Sequence, residues 1–330
     1  MTISSQITFV CLVESGWLEA QAIRMVESLR RWGGQFANAP VLAVTPRLGP
    51  PLASKTHKAF DKLQVKHIRF HYKSKYSWFP YLNKPLSVVA ASKHSTSEQI
   101  AYLDADLLIV GEPDKLLLNE GEDFTACTPD QMGGTTGPDD PTEGYWKELC
   151  NSVGIDLEDL PWVRTEMEGA RIRLYWNGGV FAYRRSTGFA EEYLQATLQA
   201  LKSQLVSQQC GIFFHEQIAM ALAVAKMGIP WRALPHSHNY ATGSLDPDQW
   251  NIKEKIKAAK ILHYHDSMWP SFWPEFIKSL QDTHPSVADW LNSVGPLKNE
   301  APFYCRSMSK SLKYFRAKQE SEYKKLGRVV

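Results

Sequence analysis

The chain has 330 residues, of which 44% are hydrophobic, so it can bury a core larger than that of one simple α/β layer. Its 37 basic and 35 acidic side chains nearly balance, which excludes the overall positive field of a typical nucleic-acid-binding protein. This composition favours small-molecule chemistry.

The N-terminal part of the chain alternates strand and helix patterns. Ile7–Val13 is a continuous apolar run that predicts a buried strand, and Glu14-Ser15-Gly16 predicts the turn after it. Apolar residues then recur at helical spacing from Leu18 to Trp32, and Gly33 supplies a stop. The next predicted elements are strands at Val41–Thr45 and Lys66–Phe70, a helix at Pro85–Lys93 and a strand at Gln99–Leu103.

The second half of the chain continues this alternation and then changes character. We predict a strand at Asp123–Cys127, a loop rich in Gly, Pro, Thr and Asp at Thr128–Pro141, a strand at Val180–Tyr183, helices at Phe189–Leu205 and Glu216–Lys226, and a strand at Ile261–His265. Alternating strands and helices indicate a mainly parallel, doubly wound, Rossmann-like sheet, whose ligands bind beyond the carboxyl ends of the strands. Residues 1–268 are therefore expected to form an α/β domain, and residues 269–330 an aromatic and helical extension that packs on it.

Cysteine usage and the N-terminus bear on where the protein is kept. The five cysteines are scattered and lack the close pairing of zinc or redox motifs, so we expect reduced thiols. The apolar run at Ile7–Val13 is too short for a membrane span, and no basic segment precedes it. We therefore expect a cytoplasmic protein. Arg306–Arg328 carries eight basic and two acidic residues among aromatic ones, and is a candidate for peripheral contact with a membrane.

Two aspartates follow the predicted strand Gln99–Leu103 directly. Asp104 and Asp106 flank Ala105, and a second apolar run, Leu107–Val110, comes after them. Two carboxylates at the end of a buried strand would repel each other unless a hard divalent cation binds them, and Mg²⁺ or Mn²⁺ prefers such oxygen ligands and often shares them with substrate phosphates. The pattern predicts a metal site at this end of the sheet.

Four segments together resemble one enzyme family. Ala101–Val110 is similar to the metal motif of the glycogenin and bacterial lipopolysaccharide galactosyltransferase family, family 8 of the glycosyltransferases. Trp176–Phe181 resembles the family's Asn-x-Gly strand entry, His215-Glu216-Gln217 its Asp-Gln helix start, and Ile261–Tyr264 its histidine strand. The resemblance implies a GT-A fold and the transfer of a sugar from a nucleotide diphosphate sugar.

The resemblance also implies roles for the metal-site residues. Asp104 would contact the metal and the ribose, Asp106 would bind the metal, and His263 would be the third protein ligand. A neutral imidazole is a common ligand for metals of the manganese class. His265 lies two residues further along the same predicted strand and competes with His263 for this role.

Other residues are candidates for binding the donor. The amide of Asn177 can donate to and accept from sugar hydroxyls, while Gly178 and Gly179 allow a ligand to approach the backbone closely. The turn at Val13, Glu14, Ser15 and Gly16 is expected to receive the base and ribose of the nucleotide. We favour UDP-sugar as the donor, with GDP-sugar as the alternative.

Lys84 and Asp130 complete the candidates. Lys84 opens the helix before the metal strand, where the family often has a basic residue facing the diphosphate or donor sugar, and Asp130 matches a family position near the acceptor sugar. The family's closing Gly-x-x-Lys-Pro-Trp is absent here, because Asp266–Pro270 follows the histidine strand instead. We consider Arg171 or Arg173 as a replacement for its phosphate-contacting lysine.

The expected activity is a metal-dependent glycosyl transfer with retention of configuration. Gln217 would stabilise positive charge at the reacting sugar carbon, Glu216 would bind a donor-sugar hydroxyl, and the leaving phosphate oxygen would accept the acceptor's proton. If the reaction inverts, Glu216 or Asp130 becomes the general base. Two further alternatives are a sugar-phosphate nucleotidyltransferase and a non-catalytic carbohydrate-binding or scaffold protein.

Overall fold

A computed structural model describes residues 6–128, 130–243 and 252–330 of the chain. Pro129, inside the predicted loop Thr128–Pro141, lies outside the described residues. The helices are α1 Trp17–Trp32, α2 Ser54–Lys62, α3 Asn83–His94, α4 Glu143–Val153, α5 Phe189–Lys202, α6 His215–Met227, α7 Lys253–Ala258, α8 Trp273–Thr283, α9 Pro285–Val294 and α10 Phe303–Leu326.

The strands are β1 Ile7–Leu12, β2 Val41–Thr45, β3 Val65–Arg69, β4 Gln99–Leu103, β5 Leu107–Ile109, β6 Phe124–Cys127, β7 Trp162–Arg164, β8 Arg171–Arg173, β9 Asn177–Arg184, β10 Leu205–Val206, β11 Trp231–Ala233, β12 Tyr240–Ala241, β13 Ile261–His263 and β14 Arg328–Val329. Short 3₁₀ turns, among them Gly34–Phe36 and Pro80–Leu82, join several of these elements.

The central sheet has seven strands within the described residues, in the order β11-β6-β9-β4-β1-β2-β3. Strand β1 is parallel to β2 and β4, β2 is parallel to β3, and β6 is parallel to β11. Strand β9 runs antiparallel to both β4 and β6. This mixed, doubly wound α/β sheet confirms the predicted fold class.

Both faces of the sheet are covered. Successive side chains of a strand point to opposite faces, so Phe9 and Cys11 of β1 join one apolar cluster with Met25 and Leu29 of α1. Val10, on the other face, joins a second cluster that contains residues of α3, α5 and α6. Burial on both faces explains why β1, β2 and β4 read as unbroken apolar runs in the sequence.

A smaller sheet extends the molecule beside the end of β4. Strand β5 pairs antiparallel with β13, with His263 opposite Leu107, and β13 pairs parallel with β12. Residues of these strands, such as Leu108 and Leu262, share an apolar cluster with Phe276 and Leu280 of α8. This packing brings β13 next to the residue that follows Asp106.

The last helix returns to the N-terminal half of the sheet. The ring of Tyr323 on α10 lies 4.9 Å from that of Trp78, and its hydroxyl donates to the carbonyl of Leu201 at 2.8 Å. Beyond α10, β14 pairs with β10. Among the described ranges, no helix combines the length and apolar character needed to cross a bilayer.

The structure corrects several predicted element boundaries. Strand β13 ends at His263, two residues before the predicted end, because His265 has a φ of 47° and leaves the extended conformation. Helix α5 ends at Lys202, three residues early, because Gln204 has a φ of 54°. The described residues of Thr128–Pro141 contain neither helix nor strand, as predicted.

Candidate active site

Asp104 and Asp106 form the link between β4 and β5. The backbone N–H of Asp104 donates to the carbonyl of Gly179 at 2.8 Å, which continues the β4–β9 pairing by one residue. Ala105 is buried, whereas the side chains of Asp104 and Asp106 retain 24% and 29% of their exposure. The alternation places the methyl group of Ala105 in the core and leaves both carboxylates accessible at the sheet end.

His263 completes a cluster of three ligand-type side chains. One oxygen of Asp104, one oxygen of Asp106 and one ring nitrogen of His263 all lie within 4.8 Å of one another. Two ligands of a single Mg²⁺ ion, each about 2.1 Å from it, are separated by at most about 4.2 Å. Donor atoms within 4.8 Å are thus close to the spacing that one ion requires, and two carboxylates with one imidazole suit Mn²⁺ or Mg²⁺.

Asp106 and His263 each favour the charged form of the other. Burial would raise the pKa of Asp106, but the attraction and hydrogen bonding of His263, whose Nε2 lies 3.3 Å from Asp106 Oδ1, lower it to about 2. Burial would lower the pKa of His263, but Asp106 raises it above its usual value. A divalent cation in this position would take over the role that the imidazolium otherwise plays beside the carboxylates.

Asn239 fixes the orientation of the His263 ring through a chain of hydrogen bonds. The N–H of Gly179 donates to Asn177 Oδ1 at 2.8 Å, so the group of Asn239 that faces this oxygen at 2.9 Å is its Nδ2 amide. The other polar side-chain atom of Asn239, Oδ1, then lies 3.0 Å from His263 Nδ1 and accepts a hydrogen bond from its N–H. In the neutral ring, Nε2 is left with a lone pair directed at the acidic pair.

His265 has a different environment. Its Nδ1 lies 3.1 Å from the backbone carbonyl of His263, and burial together with the nearby imidazole of His263 lowers its pKa to about 4. The ring centroids of the two histidines are 4.2 Å apart. The structure thus brings His263, rather than His265, into the cluster with both aspartates.

Gly178 and Gly179 are required by close neighbours at the start of β9. A Cβ atom on Gly179 would lie 2.8 Å from Cε1 of His263, and one on Gly178 would lie 3.1 Å from Nζ of Lys84. The glycines therefore serve to admit protein side chains to the site, which is a close approach of the kind that glycine permits.

Lys84 is a buried cation beside the candidate metal ligands. Its Nζ donates to the carbonyl of Gly178 at 2.8 Å and to Asp104 Oδ2 at 3.3 Å, and lies 3.7 Å from Glu216 Oε2. Burial would lower the pKa of Lys84, but the attraction of Asp104 and Glu216 raises it. The hydroxyl of Tyr102 donates to the other oxygen of Asp104 at 2.8 Å.

Glu216 and Gln217 begin helix α6. Glu216 is 1% exposed, and its Oε1 accepts from the hydroxyl of Tyr193 on α5. Burial raises the pKa of Glu216, and the attraction of Lys84 opposes that shift. Gln217 is half-buried, and its Oε1 accepts from the hydroxyl of Tyr175 at 2.8 Å, which directs its amide NH₂ away from Tyr175.

The turn after β1 lines a cavity. Arg47 binds the carboxylate of Glu14 through two nitrogens at 2.5 and 2.8 Å, and Asn83 donates to it at 2.9 Å. Val13 is fully buried, and Gly16 has a φ of 117°, as the turn requires. The cavity has a volume of about 350 Å³ and is bounded by Glu14, Ser15, Thr45, Arg47, Trp78 and residues of α10 that include Arg316.

Asp130 lies in the loop after β6. Its Oδ1 accepts from the N–H of Met132 at 2.8 Å, and burial raises its pKa. Its charge contributes to raising the pKa of Tyr175, the residue whose hydroxyl donates to Gln217. The Asp130 side chain has no hydrogen bond to the three-residue cluster among the described residues.

The comparison with protein families decides what kind of domain this is. The sequence model of a Rhodobacterales glycosyltransferase domain matches residues 9–228, which is two thirds of the chain. The chain belongs to this glycosyltransferase family. The assignment decides between an enzyme and a non-catalytic scaffold, and it favours glycosyl transfer over nucleotidyl transfer. The resemblance to glycosyltransferases found in the sequence is thus confirmed.

Several solved glycosyltransferases are similar in structure at low sequence identity. The bifunctional WbbM is 10% identical, with 86% of this chain and 51% of WbbM covered and a TM-score of 0.49. GlyE of Streptococcus pneumoniae is 14% identical, with 89% and 65% covered and a TM-score of 0.47. The galactosyltransferase LgtC, solved with donor and acceptor sugar analogs, is 10% identical, with 91% and 99% covered and a TM-score of 0.48. No curated protein sequence matches the chain.

Two arginines suggested as phosphate contacts have other partners in this glycosyltransferase. Arg173 binds Glu158 at 2.6 Å and lies 4.0 Å from Glu143. The guanidinium groups of Arg171 and Arg173 each lie 4.2 Å from the ring of Trp162. They stabilise the β7–β8 hairpin, whereas Lys84 contacts Asp104 of the candidate metal site.

Sequence reasoning missed several polar residues of this glycosyltransferase site. Asn239 follows a short 3₁₀ turn and belongs to no motif, and only the pairing of β12 with β13 brings it to His263. Tyr193 lies on the apolar face of α5, where an aromatic ring is expected for packing alone. A buried tyrosine hydroxyl needs a hydrogen-bond partner, so a tyrosine on the apolar face of a helix is the signal that could have indicated a buried polar group nearby.

Proposed function

We propose that this glycosyltransferase is metal-dependent and transfers a sugar, with retention, from a nucleotide diphosphate sugar to an acceptor hydroxyl. The observation that carries the proposal is the cluster of Asp104, Asp106 and His263, whose ligand atoms lie within 4.8 Å of one another at the end of β4. Such a set holds Mn²⁺ or Mg²⁺, which when bound offsets the charge that develops on the departing diphosphate.

The nucleotide would occupy the cavity beside the turn Val13–Gly16. Its volume, about 350 Å³, lies at the small end of ligand pockets, and it adjoins Glu14, which Asn83 connects to the start of α3 and hence to Lys84. We keep UDP-sugar as the favoured donor and GDP-sugar as the alternative. Asn177, Gly178 and Gly179 would border the donor sugar, because they lie between Lys84, Gln217 and His263.

Transfer would proceed on the face of the sugar that carries the leaving phosphate. A bond forms between the acceptor oxygen and the anomeric carbon, the bond to the phosphate oxygen breaks, and that oxygen takes the acceptor's proton. Both oxygens of Glu216 are engaged, one by Tyr193 and one near Lys84. This supports a role for Glu216 in holding charge at the site rather than as a base, and supports Gln217 as the polar group near the reacting carbon.

An inverting reaction would need a carboxylate that takes the acceptor's proton, and Asp130 is then the better candidate base than Glu216. The division into a catalytic domain at 1–268 and an extension at 269–330 stays a proposal. So does a cytoplasmic location, which the five free thiols of Cys11, Cys127, Cys150, Cys210 and Cys305 support.

The test is turnover of a panel of nucleotide sugars with and without Mn²⁺ or Mg²⁺. We expect release of a nucleoside diphosphate that requires the metal, and a loss of about a hundredfold or more in Asp106→Asn. Asp61→Asn, an exposed aspartate on α2, is the matched control and should keep full activity.

Proton NMR of the first-formed product gives its anomeric configuration. Inversion would remove the same-face mechanism and direct attention to Asp130. Full activity after chelation of divalent metals, or in Asp106→Asn, would contradict the metal site itself.

A further inference from the structure

Helix α10 has one side that packs on the domain. It runs for 24 residues, which is about 36 Å, from Phe303 to Leu326. Its inner side includes Cys305 and Tyr323, which are buried, and Arg316, whose guanidinium donates to the carbonyl of Leu48 at 2.5 Å. Contacts near both ends and in the middle hold the helix against the domain.

The opposite side of α10 carries large apolar side chains that face outward. They are between 41% and 77% exposed and comprise Phe303, Tyr304, Met308, Tyr314, Phe315 and Leu326. At 100° per residue, all six project within an arc of roughly 140° that excludes Cys305 and Tyr323. Single exposed apolar residues are ordinary on protein surfaces, but several large ones on one side of a helix mark an interaction site. We call these six residues the outer apolar face.

Basic side chains surround the outer apolar face. The helix contains seven basic and two acidic residues, and one of the acidic residues, Glu320, is paired with Lys324 at 2.6 Å. Lys318 and Lys325 project within the same arc, and Lys310 projects at its edge. Glu322 projects within this arc as well, so Lys310, Lys318, Lys325 and Glu322 together give the face a net positive charge.

This combination identifies the partner by its chemistry. A second copy of the same face would bring two positively charged helices together, which like-charge repulsion disfavours. Nucleic acid would suit the lysines and the rings, but it offers no apolar partner for Met308 and Leu326. An anionic lipid surface accommodates all of these groups, because aromatic and aliphatic side chains enter the interface while lysines remain at the headgroups.

We propose that the outer apolar face of α10 binds the protein peripherally to anionic bilayers. The proposal does not depend on the sugar-transfer mechanism, because the face lies opposite the residues of α10 that border the nucleotide cavity. Binding is measured without nucleotide or metal.

The experiment is co-sedimentation of the full chain with vesicles of phosphatidylcholine alone or with about a third of phosphatidylglycerol. We expect binding to the anionic vesicles that weakens steeply with salt. Tyr314→Ser combined with Phe315→Ser should reduce the partition coefficient by roughly tenfold or more. Lys310→Gln combined with Lys318→Gln should reduce it by about fivefold for each lysine removed.

The matched control is Lys58→Gln combined with Lys66→Gln, which removes two exposed lysines from α2 and β3. It should bind as the parent does. Circular dichroism and turnover in solution establish that all variants fold. Failure of the parent to bind anionic vesicles, or equal binding by the aromatic variant, would overturn the proposal. Self-association of the free protein that the aromatic variant abolishes would also overturn it, in favour of a second copy as the partner.

Discussion

At the candidate metal site, single residues determine how well the ligand atoms are oriented for a metal ion. The imidazole of His263 is useful as a ligand only when its Nε2 carries a lone pair, and the carbonyl oxygen of Asn239 at 3.0 Å from Nδ1 favours that tautomer. Asn239 in turn is oriented by Asn177. The sequence places these three residues far apart, and the hydrogen bonds make them one unit.

Asn239→Leu tests this unit. The substitution keeps the volume of the side chain but removes the acceptor for Nδ1 and the donor to Asn177, so the ring loses its fixed orientation. We expect Mn²⁺ affinity, measured by isothermal titration calorimetry, to fall by about 10- to 100-fold. Asn151→Leu, on the exposed side of α4, should leave the affinity unchanged. Equal affinity in Asn239→Leu and the parent would show that Asn239 does not position the ligand.

The residues of the candidate metal site differ in how far their arrangement could be predicted from the sequence. Asp104 and Asp106 were predictable because two carboxylates after an apolar strand need a physical explanation. The choice between His263 and His265 required knowledge of the backbone conformation. The φ of 47° at His265 takes this residue out of the extended conformation, and its ring lies against the carbonyl of His263. The role of Asn239 depends on a pairing of two short strands, which no local pattern encodes.

At the scale of elements, helices α3 and α6 meet through charged groups that the core surrounds. Lys84 near the start of α3 lies 3.7 Å from Glu216 near the start of α6, with side-chain exposures of 7% and 1%. Removal of one partner from a buried ion pair leaves an uncompensated charge and destabilises a protein by about 3–5 kcal/mol. Glu216 also accepts a hydrogen bond from the hydroxyl of Tyr193, which connects α5 to this ion pair.

A double-mutant cycle measures this coupling. We expect Lys84→Met and Glu216→Gln each to lower the free energy of unfolding in urea, and the double variant to lose clearly less than the sum of the two, by about 1–3 kcal/mol. The control cycle uses Lys253 and Asp282, which are 3.1 Å apart but 58% and 67% exposed, and should give less than about 1 kcal/mol. Additive losses at Lys84 and Glu216 would mean that the two helices are not coupled through this pair.

The long elements were predictable and the short ones were not. Strands β1, β2 and β4 are apolar throughout because both faces of the sheet are covered, and α1 shows clear helical periodicity. Strand β5 has three residues, Leu107–Ile109, and its sequence gives no sign that it pairs antiparallel with β13. Helix α4 was missed because it directly follows a stretch of turn-forming residues that reads as one loop.

At the scale of the whole molecule, buried histidines make folding sensitive to acid. Burial lowers the pKa of His67, His215, His236 and His238 from 6.5 to about 4. Between these values the unfolded chain takes up protons that the folded chain does not, so the free energy of unfolding falls as the pH falls from about 6.5 toward 4. The four neutral imidazoles therefore contribute fully to the free energy of unfolding above about pH 6.5, and this contribution is lost as the pH falls toward 4.

His215→Phe should make the protein less sensitive to acid. The ring of His215 is fully buried and stacked on Tyr145 at 5.8 Å, so a phenyl ring fits the same space without a titrating group. Urea unfolding at pH 7 and pH 5 should show roughly 2 kcal/mol less acid-induced loss than in the parent. His94→Phe, at an exposed position, should keep the parent's pH dependence. An unchanged slope in His215→Phe would contradict the assignment of a neutral, buried imidazole.

Helix α10 is secured along its whole length, by Cys305 against Pro51, by Arg316 against Leu48, and by Tyr323 and β14 against Trp78 and β10. A segment fixed in this way has no hinge, so it cannot act as a free tether. A surface that binds α10 would therefore set the tilt of the whole domain, and with it the direction in which the opening beside Glu14 faces an approaching nucleotide sugar.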